Sequence, residues 1–133
     1  MILKIFYVIF FFISFFNGAW MLLSPLSWYR YLPAGVPHTG PFNAHFVRDI
    51  GVAYLVAALG FGWCALNRES CRTVHFALTL FFVGHALIHL FEILTGHLPA
   101  THWLIDGPGV FLPALLLVIL GIPSVRRSLG ETA

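Results

Sequence analysis

Charge is what this sequence has least of. Only 9% of its 133 residues are Asp, Glu, Lys or Arg, against 59% that are hydrophobic. A soluble domain draws about a quarter of its residues from the charged set. The shortage excludes a chain that covers itself with water-facing groups, and a mean hydropathy of +0.90 agrees. Cysteine is nearly lacking as well. Cys64 and Cys71 are the only two, their spacing matches no zinc or redox motif, and they read as small buried or interfacial residues. Internal repeats and low-complexity segments are missing. The net charge of +2 calls for no nucleic-acid partner, because the arginines sit where membrane topology wants them.

What the chain does have is long apolar runs. Crossing roughly 30 Å of hydrocarbon at 1.5 Å per residue takes about 20 residues, and four segments qualify: 2–23, 46–66, 73–94 and 103–122. The expected fold is therefore all-α, an integral membrane four-helix bundle in one transmembrane domain, with a long exterior loop over 24–45. The first run opens with Lys4 like a signal peptide. Its core continues through Trp20, Met21, Leu22 and Leu23 with no small-x-small cleavage site, which favours an uncleaved signal-anchor. Lys4, Arg68, Arg72, Arg126 and Arg127 fall on one side of this topology, and Arg30 and Arg48 on the other. By the positive-inside rule both termini face the cytoplasm.

On that topology the polar residues are unevenly spread. GHALIHLFEILTGH, residues 84–97, puts His85, His89 and Glu92 into the outer half of the third span. NAHFVRDIG opens the second with His45, Arg48 and Asp49, and HWLIDGPG opens the fourth with His102 and Asp106. Asn17 lies in the outer half of the first. Six of the seven histidines and three of the five acids thus gather toward one membrane face, leaving His75 near the other. At 100° per residue His85 and His89 are about 40° apart and Glu92 lies within about 20° of His85, a single stripe. His45 and Asp49 form an i, i+4 pair at a similar depth. Small residues on the second span (Gly51, Ala53, Ala57, Ala58, Gly60, Gly62), with Gly84 and Ala86 on the third, favour close backbone approach.

An ionisable side chain in hydrocarbon costs something like 2.5 to 3.5 kcal/mol on insertion scales, so grouped ones pair or serve a function. Imidazoles and carboxylates without thiolates are the ligands of zinc, iron or copper(II). We therefore expect a transition-metal site with His45, Asp49, His85, His89 and Glu92 as ligand candidates. Asn17, Arg48, His102 and Asp106 would support it from behind. Haem b held between two histidines is the alternative cofactor. The HxxxH spacing lacks the glutamate of a zincin. Each residue also has a plainer reading. Arg48 pairs with Glu92 or Asp106 in a polar lock between helices, and Asp106 merely caps the fourth helix, with Pro108 in its first turn. His38, His97 and His102 are loop residues, and Trp28, Tyr29, Tyr31 and Trp103 form an aromatic belt.

In its four spans, in NGAWMLLSPLSWY and in HFVRDIGVAYLVAALG, the chain resembles the DoxX-like group of small bacterial four-span membrane proteins. The resemblance implies a four-helix bundle in the bacterial inner membrane, attached to respiratory or redox machinery. It implies nothing about His85, His89 or Glu92. Three functional classes follow. The first is a metal-dependent enzyme or redox component open to the periplasm, with GVPHTGPFN of the first loop as a lid. The second is a non-catalytic accessory subunit that packs against a larger membrane complex, or a homo-oligomer, in which the same residues form a packing network. The third is a proton relay, for which the cytoplasmic halves offer no evident polar path.

Overall fold

Residues 2–67 and 71–129 are described by a computed structural model in which three of the four long apolar runs are single helices and no described residue lies in a strand. The first helix, α1 (Ile2–Leu23), contains no proline and only Lys4 as a charge, so nothing interrupts it. Ser24 and Pro25 end it and begin the short α2 (Pro25–Tyr31), and a single 3₁₀ turn follows at Val36–Thr39. The second long helix, α3 (Ala44–Leu66), starts two residues before its apolar run, because the Asn43 side chain accepts the Phe46 N–H and caps it. The third, α4 (Cys71–Leu94), likewise starts ahead of its run. These three helices are long and apolar enough to cross a membrane. Their outer faces expose large apolar residues such as Phe16, Leu59, Phe76 and Phe91.

The expected fourth span is not one helix. It divides into α5 (His102–Ile105), a wide π-type turn at Gly107–Phe111, and α6 (Leu112–Gly121). Pro108 has no N–H to give, and its ring collides with the carbonyl four residues back, so a regular helix cannot run through it. The chain widens instead: the Val110 and Phe111 N–H groups both reach the Asp106 carbonyl, at 2.8 and 3.1 Å. The ten residues of α6 rise only about 15 Å. After the extended Ile122, α7 (Pro123–Ser128) folds across that end.

Successive long segments run antiparallel. Against α3, α1 packs so closely that a Cβ on Gly18 would lie 2.7 Å from the Gly51 carbonyl, and one on Gly51 2.9 Å from Met21 Cβ. Lower down, Phe10 of α1, Phe61 of α3 and Phe82 of α4 meet ring to ring at 5.4 and 5.7 Å. With Leu78 and Leu117 they form a buried aromatic and aliphatic layer. Polar clusters lie at the two ends of the bundle, on either side of this layer.

Candidate functional site

At the end where α1 and α4 finish, one carboxylate collects histidines from separate segments. Asp106 is 1% exposed and sits where α5 gives way to the wide turn. Its side chain makes no helix cap. It accepts from His89 Nδ1 on α4 at 2.8 Å and from His102 Nδ1 on α5 at 3.1 Å. A carboxylate only accepts, so both rings present an Nδ1–H to it, which in the neutral imidazole leaves Nε2 as the acceptor. The His102 ring is fully buried. Its Nε2 lies 2.9 Å from Nδ1 of His38 in the first loop, so the His38 N–H donates to it. On the α4 side, the His85 ring packs edge-on against His89 with centroids 4.7 Å apart. The result is a run of titratable groups from an exposed loop residue to a helix interior: His38, His102, Asp106, His89, His85.

Gly35 makes room for the first link. Its φ of 61° lies in the left-handed region, and a Cβ there would stand 3.0 Å from His38 Nδ1 and 3.3 Å from His102 Nε2. Conformation and space both demand glycine at this point. Tyr29 ties down the far side of the same loop by donating its hydroxyl to the Gly40 carbonyl at 2.7 Å.

Of the residues expected from the sequence, His85, His89, His102 and Asp106 are brought together. The others lie apart from this cluster. His45 and Asp49 make their i, i+4 contact at 3.3 Å on an open face of α3, with side chains 89% and 61% exposed. Arg48 reaches back to the Leu22 carbonyl at 3.4 Å, capping the end of α1. Asn17 accepts the Trp28 indole N–H at 2.9 Å and pins α2 to α1. Glu92 shares a shallow groove with Ile88, Phe91 and His97. No three His, Cys, Asp or Glu groups among the described residues already surround a single point. Within the cluster, the facing nitrogens of His38 and His102 stand 2.9 Å apart, with the Asp106 carboxylate behind the His102 ring. His38 is the residue that sequence reasoning left in the loop, because no periodicity relates a loop position to a helix face. The neighbouring Gly35 and Pro37 mark a fixed turn but not its target.

The opposite end holds a second buried cluster. His75 Nε2–H donates to the Leu117 carbonyl at 3.0 Å, leaving Nδ1 to accept the Tyr7 hydroxyl at 2.9 Å. Arg126 folds in from α7, donating to Tyr7 Oη at 3.3 Å and to Cys71 Sγ at 3.0 Å. Cys64 and Cys71 are both buried here. Every buried side-chain nitrogen and oxygen among the described residues has a partner. Compared with protein-family models, curated proteins and solved structures, the chain matches none of them.

Proposed function

We propose that the chain is a multi-pass protein of the bacterial inner membrane whose function centres on the His38–His102–Asp106–His89 cluster, a transition-metal site opening to the periplasm. The observation that carries this reading is the pair of imidazole nitrogens facing each other at 2.9 Å, one of them on a ring backed by a buried carboxylate. A metal-binding histidine almost always donates its other N–H to such a partner. Two nitrogens each about 2.0–2.1 Å from zinc in a tetrahedral site stand roughly 3.3 Å apart. A few tenths of an ångström of opening therefore lets an ion replace the shared proton, with His38 moving its own proton to Nε2. His89 shares the Asp106 carboxylate with His102, and His85 packs against His89. Zinc, iron and copper suit the donor set, and the chemistry is that of a metal-dependent or redox component of a membrane system. Haem b is the alternative occupant, separated by its visible absorption spectrum. Both termini face the cytoplasm in this reading, and the topology-level resemblance to DoxX-like proteins fits it.

The test is elemental analysis of the detergent-purified protein after dialysis against micromolar zinc, copper or iron. The expected result is about one ion per chain, lost in His102→Ala and cut at least tenfold in His38→Ala. A second reading is favoured by the completed hydrogen bonding: the cluster is a clasp tying the first loop to the bundle of an accessory subunit. That reading predicts no stoichiometric metal, the same two substitutions lowering the unfolding temperature alone, and co-purification with a larger complex.

A further inference from the structure

A cleft of about 450 Å³ opens between α4 and α6 at the end opposite the histidine–aspartate cluster. It exists because of the break at Ile122. There α6 stops, Pro123 restarts the chain as α7, and Arg126 turns back beneath the bundle. Gly121 lets that turn approach α4, since a Cβ there would lie 3.3 Å from His75 Nε2. The walls are mainly apolar, formed by Phe76 and Thr79 on one side and Val118 and Ile122 on the other. Arg72 and Arg126 stand at the polar end. Phe76, Val118 and Ile122 are exposed on the flank that would face lipid tails. Arg126 is buried and its N–H groups serve Tyr7, Cys71 and the Leu120 carbonyl, so it lends charge to the floor. Arg72 is exposed and lines the cleft.

Apolar walls leading to a cationic end match one kind of occupant. Among the described residues this end carries Lys4, Arg72, Arg126 and Arg127 and no Asp or Glu. Basic pockets between membrane helices take anionic lipid headgroups, and each cation near an anionic surface contributes about 1 kcal/mol. The volume falls within the range of small-ligand sites.

We infer that this cleft is a binding site for an anionic phospholipid, its phosphate held by the Arg72 guanidinium over the charge of Arg126 and one acyl chain lying along Phe76, Val118 and Ile122. A zwitterionic lipid carries an ammonium that the two arginines repel. Inorganic phosphate lacks the chain that the walls require.

The test is native mass spectrometry of the full-length protein in mild detergent, titrated with phosphatidylglycerol, phosphatidylcholine or inorganic phosphate. Phosphatidylglycerol should bind at least tenfold more tightly than phosphatidylcholine, and millimolar phosphate should not displace it. Arg72→Gln should weaken it at least fivefold and Arg72→Lys much less. Val118→Trp, which fills the cleft and leaves every charge in place, should weaken it as strongly as Arg72→Gln. The two Arg72 variants change an exposed side chain outside the buried network, so an unchanged unfolding temperature certifies their fold. Equal binding of the two lipids, displacement by phosphate, or undiminished binding in both Arg72→Gln and Val118→Trp would overturn the assignment.

Discussion

A buried carboxylate that takes two imidazole N–H groups decides what those rings do next. Asp106 holds His89 and His102 in the tautomer that frees Nε2, and it does so at 1% exposure, where water does not compete. Oδ2 accepts from both rings and Oδ1 from His102 as well, so asparagine keeps the shape but removes the charge and leaves either its own NH2 facing the His102 N–H or a ring without its acceptor. An abandoned buried donor costs about 1–3 kcal/mol, and loss of an orienting carboxylate costs about 10–100-fold in metal affinity. Asp106→Asn should therefore lower the thermal unfolding midpoint in detergent and weaken zinc binding by that factor in a chelator competition. Both quantities unchanged would mean the rings are oriented by something else. The sequence offers Asp106 two roles, support behind metal-binding histidines or a helix cap, the latter because DGPG is the pattern of a helix start. Which histidines it would meet, one four residues back and one seventeen, was not legible, because helix periodicity does not carry across the wide turn at Pro108.

The long helices were legible from composition alone, since runs of twenty apolar residues without proline have one stable form in a hydrocarbon solvent. Helix starts shifted by two residues where Asn43 supplied a cap that hydropathy does not register. Which small residues lie at a contact was not legible. Gly18 and Gly51 meet across the α1–α3 crossing, while a Cβ on Gly84 would touch nothing within 4 Å. In lipid, helices associate through such close packing. Gly51→Val places branched carbon against Met21 Cβ and the Gly18 carbonyl, and overpacking of this kind costs typically 1–3 kcal/mol. Gly84→Ala should be neutral or slightly stabilising, because alanine is the better helix former. Unfolding titrations of the two variants in mixed micelles check the contrast. A neutral Gly51→Val would show that the two helices do not rely on this crossing.

Across the whole molecule, two polar ends are separated by a layer built from Phe10, Phe61, Phe82 and Leu78. The histidine–aspartate end is reached from the first loop and the arginine end from α7. In the proposed orientation the first faces the periplasm and the second the cytoplasm, a placement checked by labelling with a membrane-impermeant thiol reagent. Cys64 and Cys71 are buried and contribute little background. A cysteine at His45, whose side chain is open, should label in intact cells, and one at Ser128 only after lysis. Labelling of both from the same side would contradict four crossings. The claim on which the account turns is that imidazoles from the first loop and α5 share one ion, and X-ray absorption of the zinc-loaded protein tests it most directly. The expected spectrum shows at least two imidazole ligands at about 2.0–2.1 Å, with one fewer in His102→Gln. A zinc shell made only of oxygen, unchanged by that substitution, would contradict it.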